Sequence, residues 1–481
     1  MDNMNFENYG LSDEILKALK LLGFKQATEV QKEVIPLGLE KHDIIAKAQT
    51  GSGKTAAFGI PICESVEWNA KEPQALVLTP TRELCVQVKE DITNIGRFKR
   101  IRCTAVFGKQ PVEVQVRDLK QKVHVVVGTP GRTFDLIQRG HLNVQSIKYL
   151  VIDEADKMLN MGFIDQVEDI IRLLPGERIT MLFSATLEEK IEALCQRYMN
   201  NPIKIEITPE SLTSEKINQV LYEVEQDKKL TVLQKLLYVE NPDSCIIFCS
   251  TKDNVDKLTY NLKDRGYACE SLHGGMEQRD RLDIMKSFKR GEFRFLVATD
   301  VAARGIDVES LSLIINYDVP VEKESYVHRI GRTGRAGNKG KAITLAAPSE
   351  YKILSEIEEY IGLSIPRGEE PYKEEIERAK KAFEEKNNKQ PKIKTEKSAN
   401  LDKQITKIYI GAGKKKKIRA GDIVGAITSI KGISAENIGI IDVLDYVTYV
   451  DILDGKGSLV LDALKTTTIK GKSYKVEKAN K

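Results

Sequence analysis

From residue 41 to about 205, short aliphatic and β-branched runs recur between longer amphipathic stretches: 44–46 (IIA), 75–79 (ALVLT), 101–107 (IRCTAVF), 124–128 (HVVVG), 149–152 (YLVI) and 180–183 (TMLF). Runs this short and this apolar suit strands buried on both faces, and most of the segments between them have helical length. The rhythm predicts a parallel sheet with helices on both sides. It pauses over 206–225 and restarts with 245–249 (CIIFC), 269–272 (CESL), 295–299 (FLVAT), 312–317 (SLIINY) and 341–347 (KAITLAA). Two α/β domains are therefore expected, over 1–206 and 217–365, joined near 207–216.

Over 366–403 the pattern dissolves into charged residues (EEPYKEEIERAKKAFEEKNNKQPKIKTEKSAN). This composition reads as a linker, with an exposed helix over 373–386. Within 404–481 the runs KIYI (407–410), NIGIIDV (437–443), YVTYVDIL (446–453) and SYKVEK (473–478) read as strands, and 422–430 and 458–464 as helices. A β-α-β-β-α-β order in about 75 residues resembles the layout of an RNA-recognition motif.

Composition narrows the class. The 481 residues are 41% hydrophobic and 30% charged, which suits a soluble chain of two to four domains, and no apolar run approaches a membrane span. The start is polar and acidic, without the basic-then-apolar pattern of an export signal. The seven cysteines are scattered and lack metal-ligand companions, so reduced thiols in a cytoplasm are expected. The net charge of +4 is uneven. Residues 401–481 carry 15 Lys and Arg against 9 Asp and Glu, a net of +6, which leaves −2 for the rest. Such a tail is either a polyanion-binding module or simply a soluble basic domain.

The chemistry begins at 48–55, AQTGSGKT, between the apolar run at 44–46 and a helix-like run from Ala56. That is the setting of a phosphate-binding loop, although Ala48 stands where the general pattern has Gly. Backbone N–H groups of Gln49, Thr50, Gly51, Ser52 and Gly53 can wrap a polyphosphate at the helix N-terminus. Lys54 adds a point charge for the β and γ phosphates, and Thr55 offers a hydroxyl to Mg²⁺. ATP and Mg²⁺ are the expected cofactors. Downstream, LVIDEAD (150–156) ends a strand in Asp153 and Glu154, where ligands of open α/β sheets bind. Asp153 suits Mg²⁺, partly through water, and Glu154 suits orienting or deprotonating the water that attacks the γ-phosphate.

The DEAD run at 153–156 resembles the signature of the DEAD-box RNA helicases, and the likeness extends from about residue 6 to 360 with the motifs in order. The resemblance implies two RecA-like domains and an adenine-reading element made of Phe6, Phe24, Thr28 and Gln31. It implies RNA-gripping loops at PTREL (Pro80, Thr81, Arg82), Gly108 and TPGR (Thr129, Gly131, Arg132). Gly108-Lys109 stands where many members have Gly-Gly, which exchanges a backbone contact for a side chain. SAT (184–186) resembles the element that couples hydrolysis to RNA opening. In the second domain the likeness implies RNA or nucleotide contacts at Gln278, Arg281, Thr299 and Arg304, and ribose contact at Asp307. HRIGRTGR (328–335) resembles the arginine-finger motif, with Arg332 and Arg335. An arginine finger is worth about 10³–10⁵ in rate. These fingers lie in the domain without the phosphate loop, so catalysis is expected to require domain closure on RNA.

The core RNA loops carry small, hydroxyl and Arg residues rather than base-reading aromatics, which predicts sequence-independent gripping of phosphate and sugar. Specificity is then expected from the tail. There IYIGAG (408–413) resembles the first RNA-recognition signature, with Tyr409 as a stacking ring, while the second signature is incomplete. Lys414, Lys415, Lys416, Lys417 and Arg419 offer either phosphate contacts or a solvated loop. The tail is similar to that of the DbpA-type bacterial branch, which implies 23S ribosomal RNA and pre-50S particles as targets of a monomeric cytoplasmic helicase. A general helicase with a sticky tail, an RNA clamp or annealing chaperone, and a DNA translocase are the rivals. Comparing ATPase stimulation by RNA and DNA separates the last of these.

Overall fold

The computed structural model describes residues 5–49, 51–207, 217–303, 311–334, 340–389, 391, 393 and 398–479. The chain divides into two compact units, Met1–Ile207 with Glu396–Lys481, and Thr208–Thr395.

The first unit holds a seven-stranded parallel sheet: β1 (Ile44–Lys47), β2 (Ala75–Leu78), β3 (Cys103–Val106), β4 (Val125–Gly128), β5 (Tyr149–Ile152), β6 (Ile179–Ser184) and β7 (Ile203–Glu206), in the order β3-β4-β2-β5-β6-β1-β7. Alternate strand residues feed opposite faces. Ile44, Ala46, Ala75 and Val77 join one core, while Ile45, Leu76 and Leu78 join the other. This is the doubly covered sheet that the apolar runs predict.

The second unit repeats the plan with β8 (Ile217–Glu223), β9 (Cys245–Phe248), β10 (Cys269–Leu272), β11 (Phe295–Ala298), β12 (Leu313–Asn316) and β13 (Gly340–Ala346), in the order β10-β11-β9-β12-β13-β8. Again Ile246 and Phe248 enter one core, Cys245 and Ile247 the other. The segment 366–403 departs from a plain linker. It contains the helix Lys373–Asn388, which is not an exposed helix: its Phe383 is buried against Tyr238, Tyr267 and Phe295, and the Arg294 guanidinium lies 4.8 Å from the Phe383 ring centre. One aromatic among charges gave no periodic apolar stripe, so composition concealed the docking.

The tail forms the antiparallel sheet β14 (Thr406–Ile410), β15 (Ile438–Val443), β16 (Thr448–Ile452) and β17 (Val476–Lys478), in the order β15-β16-β14-β17. Helices Ala420–Thr428 and Gly457–Leu464 bring Ile423, Ile427, Val460 and Leu464 to a core with Ile408, Ile410, Val450 and Ile452. The three sheets establish the expected class of two RecA-like domains and a small α+β module.

Candidate active site

The first sheet's strand order sorts the motifs into two neighbouring groups. Strands β1, β6 and β5 lie side by side and lead into the phosphate loop, the SAT run and the Asp153–Glu154 pair. Strands β2, β4 and β3 are likewise adjacent and lead into PTREL, TPGR and Gly108. Parallel strands put all six connections at one edge, where such sheets bind ligands.

Gly51 and Gly53 hold the phosphate loop in left-handed backbone, at φ 85° and 94°. A side chain at Gly53 would also collide with its neighbours, since its Cβ would lie 2.5 Å from Gln31 Nε2 and 2.9 Å from Thr28 Oγ1. That closeness is used. Thr28 Oγ1 donates to the Ser52 carbonyl at 2.7 Å, and Gln31 Nε2 donates to the Gly53 carbonyl at 3.0 Å. Gln31 Oε1 accepts from the Thr28 N–H, which also caps the helix Glu29–Leu39. Ser52 Oγ closes the loop onto the Gln49 carbonyl at 2.9 Å. Thr28 and Gln31 thus brace the loop's shape from outside. Thr50 lies outside the described residues. Phe6 is buried and meets Phe24 edge-on at 5.8 Å, so it supports that ring, and the half-buried Phe24 keeps an accessible face.

Lys54 opens the helix Lys54–Ser65 with its ammonium 3.2 Å from the Ala48 carbonyl and 3.8 Å from Asp153 Oδ1. Burial pushes the Asp153 carboxyl up to about 6, against the pull of Lys54. Asp153 Oδ1 is buried with no hydrogen-bond partner in the described structure. An anion left this bare suits a cation. No group of three His, Cys, Asp or Glu side chains forms a metal cage among the described residues. The Asp153 carboxylate and Thr55 hydroxyl therefore fit Mg²⁺, a hard ion that takes few protein oxygens and completes its shell with phosphate and water. Glu154 follows in left-handed backbone at φ 56°, with its carboxylate 2.6 Å from the Lys157 ammonium, both side chains buried. Lys157 was not anticipated, although the i, i+3 spacing from Glu154 was a signal. The Asp156 N–H donates to Ser184 Oγ at 3.1 Å, joining the DEAD and SAT runs directly.

In the second group, Thr81 caps the helix Arg82–Ile95, and the Arg82 guanidinium lies 3.7 Å from where a Gly108 Cβ would stand. Lys109 takes left-handed backbone at φ 59°, the conformation a second glycine would adopt freely, so the loop keeps its path and gains an exposed amine. Arg132 donates to the Gln110 carbonyl at 3.2 Å and to Gln115 Oε1 at 3.1 Å, tying TPGR to the Gly108 loop. Pro80, Thr129 and Gly131 complete this row, with Thr129 capping the helix Pro130–Gln138.

In the second unit, Gln278 and Arg281 are buried at the start of the helix Gln278–Lys289, and Thr299 follows β11. Arg332 is also buried. Arg304, Asp307 and Arg335 lie outside the described residues. The neighbouring Arg329 was not singled out. It grips both oxygens of Asp300, at 2.5 and 2.7 Å, and donates to the Asp318 carbonyl at 2.7 Å. It therefore fixes the helix that leads into Arg332.

In the tail, Lys414, Lys415, Lys416 and Lys417 form an exposed turn after β14, with Arg419 exposed beside it. Tyr409 and Tyr449 are register partners on β14 and β16, with ring centres 5.8 Å apart.

Comparison with known proteins agrees with this layout. Residues 28–194 match the DEAD/DEAH box helicase family, 228–337 the helicase conserved C-terminal domain, and 407–478 the DbpA RNA binding domain. The chain is 58% identical over 477 residues to the ATP-dependent RNA helicase DbpA of Bacillus subtilis, covering 99% of this chain and 100% of that protein. It is 47% identical over 353 residues to the DEAD-box helicase CshA of Geobacillus kaustophilus, covering 73% and 76%. Among solved structures, S. cerevisiae Dbp5 bound to RNA and ADP BeF3 superposes with a TM-score of 0.69 at 32% identity, covering 79% of this chain and 99% of that one.

Proposed function

This chain belongs to the DEAD-box ATP-dependent RNA helicases, in the branch that carries a DbpA RNA binding domain, and from that membership we propose its particular task. It unwinds short RNA duplexes locally, at sites chosen by the tail within 23S ribosomal RNA, during assembly of the large ribosomal subunit. The single observation that carries this reading is the match of residues 407–478 to the DbpA RNA binding domain, on a tail whose lysine turn is exposed. Pre-50S particles are the proposed partner, the cytoplasm the proposed place, and a monomer the proposed working state. No helix among the described residues is long and apolar enough to cross a membrane.

In this reading Phe24, Thr28 and Gln31 select adenine and hold the phosphate loop in shape. Lys54 meets the β and γ phosphates. Thr55 and Asp153 hold Mg²⁺, which neutralises phosphate charge when bound. Glu154 orients and deprotonates water, and Asp307 meets the ribose. Arg332 and Arg335 stabilise transition-state charge, a role that requires RNA to draw the two core domains together. Pro80, Thr81, Arg82, Gly108, Thr129, Gly131, Arg132, Gln278, Arg281, Thr299 and Arg304 grip RNA without reading its sequence. The test is ATPase stimulation by 23S fragments against random RNA of equal length at one salt concentration. Preference for a 23S fragment by the intact chain supports the task, and equal stimulation favours a general helicase with a nonspecific tail.

A further inference from the structure

We propose that the open face of the tail's sheet is an intramolecular docking surface for the first core domain, rather than a platform on which RNA bases stack. Alternation along the strands defines that face. Ile408, Ile410, Val450 and Ile452 point into the tail's own core, so Lys407, Tyr409, Tyr449 and Asp451 point the other way. Asp442 is the register partner of Tyr449 and joins them. In sheets of this layout the helix-free face is where aromatic rings receive bases. Here two carboxylates share it with the rings, and carboxylates repel phosphates.

Both carboxylates meet arginines of the first core domain. Arg97 Nη2 lies 3.2 Å from Asp451 Oδ2, and Arg102 Nη2 lies 2.8 Å from Asp442 Oδ1. Arg102 also donates to the Ile441 carbonyl, and Arg100 donates to the Ala435 carbonyl at 2.7 Å. Beside them Lys17 pairs with Asp454. An apolar seam completes the contact: Ala18 and Phe98 of the core are buried with Leu401, Ile405 and Leu453 of the tail. Asp451 is only 2% exposed, and burial of an anion is tolerated where a cation is held against it.

The charge is segregated. A tail with a net of +6 gives its carboxylates to four basic residues of the core, Lys17, Arg97, Arg100 and Arg102 standing opposite Asp454, Asp451 and Asp442. Its Lys414, Lys415, Lys416 and Lys417 stay exposed on a turn outside that seam. The segment that carries the arginines runs directly into β3, whose far end bears Gly108. Docking therefore fixes the lysine turn relative to the row of RNA loops.

The test uses the full chain and amine-reactive cross-linking read by mass spectrometry. Links from Lys17, Lys99 or Lys122 to Lys403, Lys407 or Lys456 are expected in the native protein. Arg102→Glu or Asp442→Arg alone should lower their yield at least threefold, and the double reversal should restore it. Absence of the links in the native chain, persistence in both single variants, or failure of the double variant to restore them overturns the pairing. A second measurement addresses RNA. A 4-thiouridine-substituted RNA should photo-cross-link in the lysine turn and not at Tyr409 or Tyr449. A cross-link at either tyrosine makes the face a base platform and overturns the proposal.

Discussion

The Lys157 ammonium lies 2.6 Å from the Glu154 carboxylate, and both side chains are buried beside the phosphate loop's own Lys54. A carboxylate held by a buried cation stays ionised and keeps its direction, which is what a water-activating group needs. Glu154→Gln preserves size and hydrogen bonding but removes the base. Turnover should fall by about 10² or more, the usual scale for loss of a general base, while ATP and RNA remain bound. Steady-state ATPase with filter binding checks this, and near-normal hydrolysis would remove Glu154 from the role.

Gln31 braces the phosphate loop through the Gly53 carbonyl and the Thr28 N–H. Two such hydrogen bonds are worth about 1–3 kcal/mol together. Gln31→Ala should weaken ATP binding by roughly that energy, about 5- to 150-fold, with little change in thermal stability. Gly53→Ala should do more, because it adds the 2.5 Å collision with Gln31 to a backbone at φ 94°. Nucleotide titration monitored by fluorescence separates the two. Wild-type affinity in Gln31→Ala would show that the loop needs no brace.

Much of this was legible in the sequence, and the failures have physical causes. Both cores follow from apolar runs that the strands bury on two faces, as at Val125, Val126 and Val127. The strands that escaped, β7 and β8, are edge strands with residues such as Lys204 and Asn218 turned to solvent, so their apolar content is diluted. The phosphate loop and DEAD run announce themselves because each residue in them has a separate chemical duty. Thr28 and Gln31 do not. A threonine and a glutamine three apart read as an ordinary helix cap, and only proximity to Ser52 and Gly53 reveals their use. The arginines of 97–102 were equally silent, since a basic loop acquires meaning only opposite Asp442 and Asp451.

Asp153 sets a pH dependence. Its folded carboxyl is raised by burial to about 6, above its unfolded value, so the folded nucleotide-free protein holds this proton more tightly than the unfolded chain. The sign follows from linkage: this group's contribution favours folding at low pH and is lost as pH rises through about 6. Asp153→Asn should therefore raise the Tm of the nucleotide-free protein at pH 7.5, and the gain should shrink as pH falls from about 6 towards 4. Differential scanning calorimetry across that range checks it. A gain that grows at low pH would contradict the cause.

Arg329 ties helix Lys323–Ile330 to Asp300 through a two-point grip that lysine cannot reproduce. Breaking a buried ion pair costs about 3–5 kcal/mol, and the partial exposure of Asp300 places this one at the lower end. Arg329→Lys should lower the Tm measurably and reduce kcat through the misplaced Arg332, while ATP affinity changes little. An unchanged Tm would mean the grip is dispensable.

The tail's role as an address is best tested by a cut that respects the fold. Ending the chain near 365 would strip the helix Lys373–Asn388 and uncover the aromatic cluster that buries Phe383, so lost activity could reflect lost stability. A chain ending at residue 391 keeps that helix. It should retain ATPase activity at saturating nonspecific RNA and lose any preference for a 23S fragment. Neutralising Lys414, Lys415, Lys416 and Lys417 in the full chain leaves the fold and the docked carboxylates in place. The plot of log affinity against log salt should then flatten by about 0.7–0.9 for each phosphate contact removed. If the intact and shortened chains prefer the 23S fragment equally, the address lies in the core domains, and the exposed lysines contribute charge without choice.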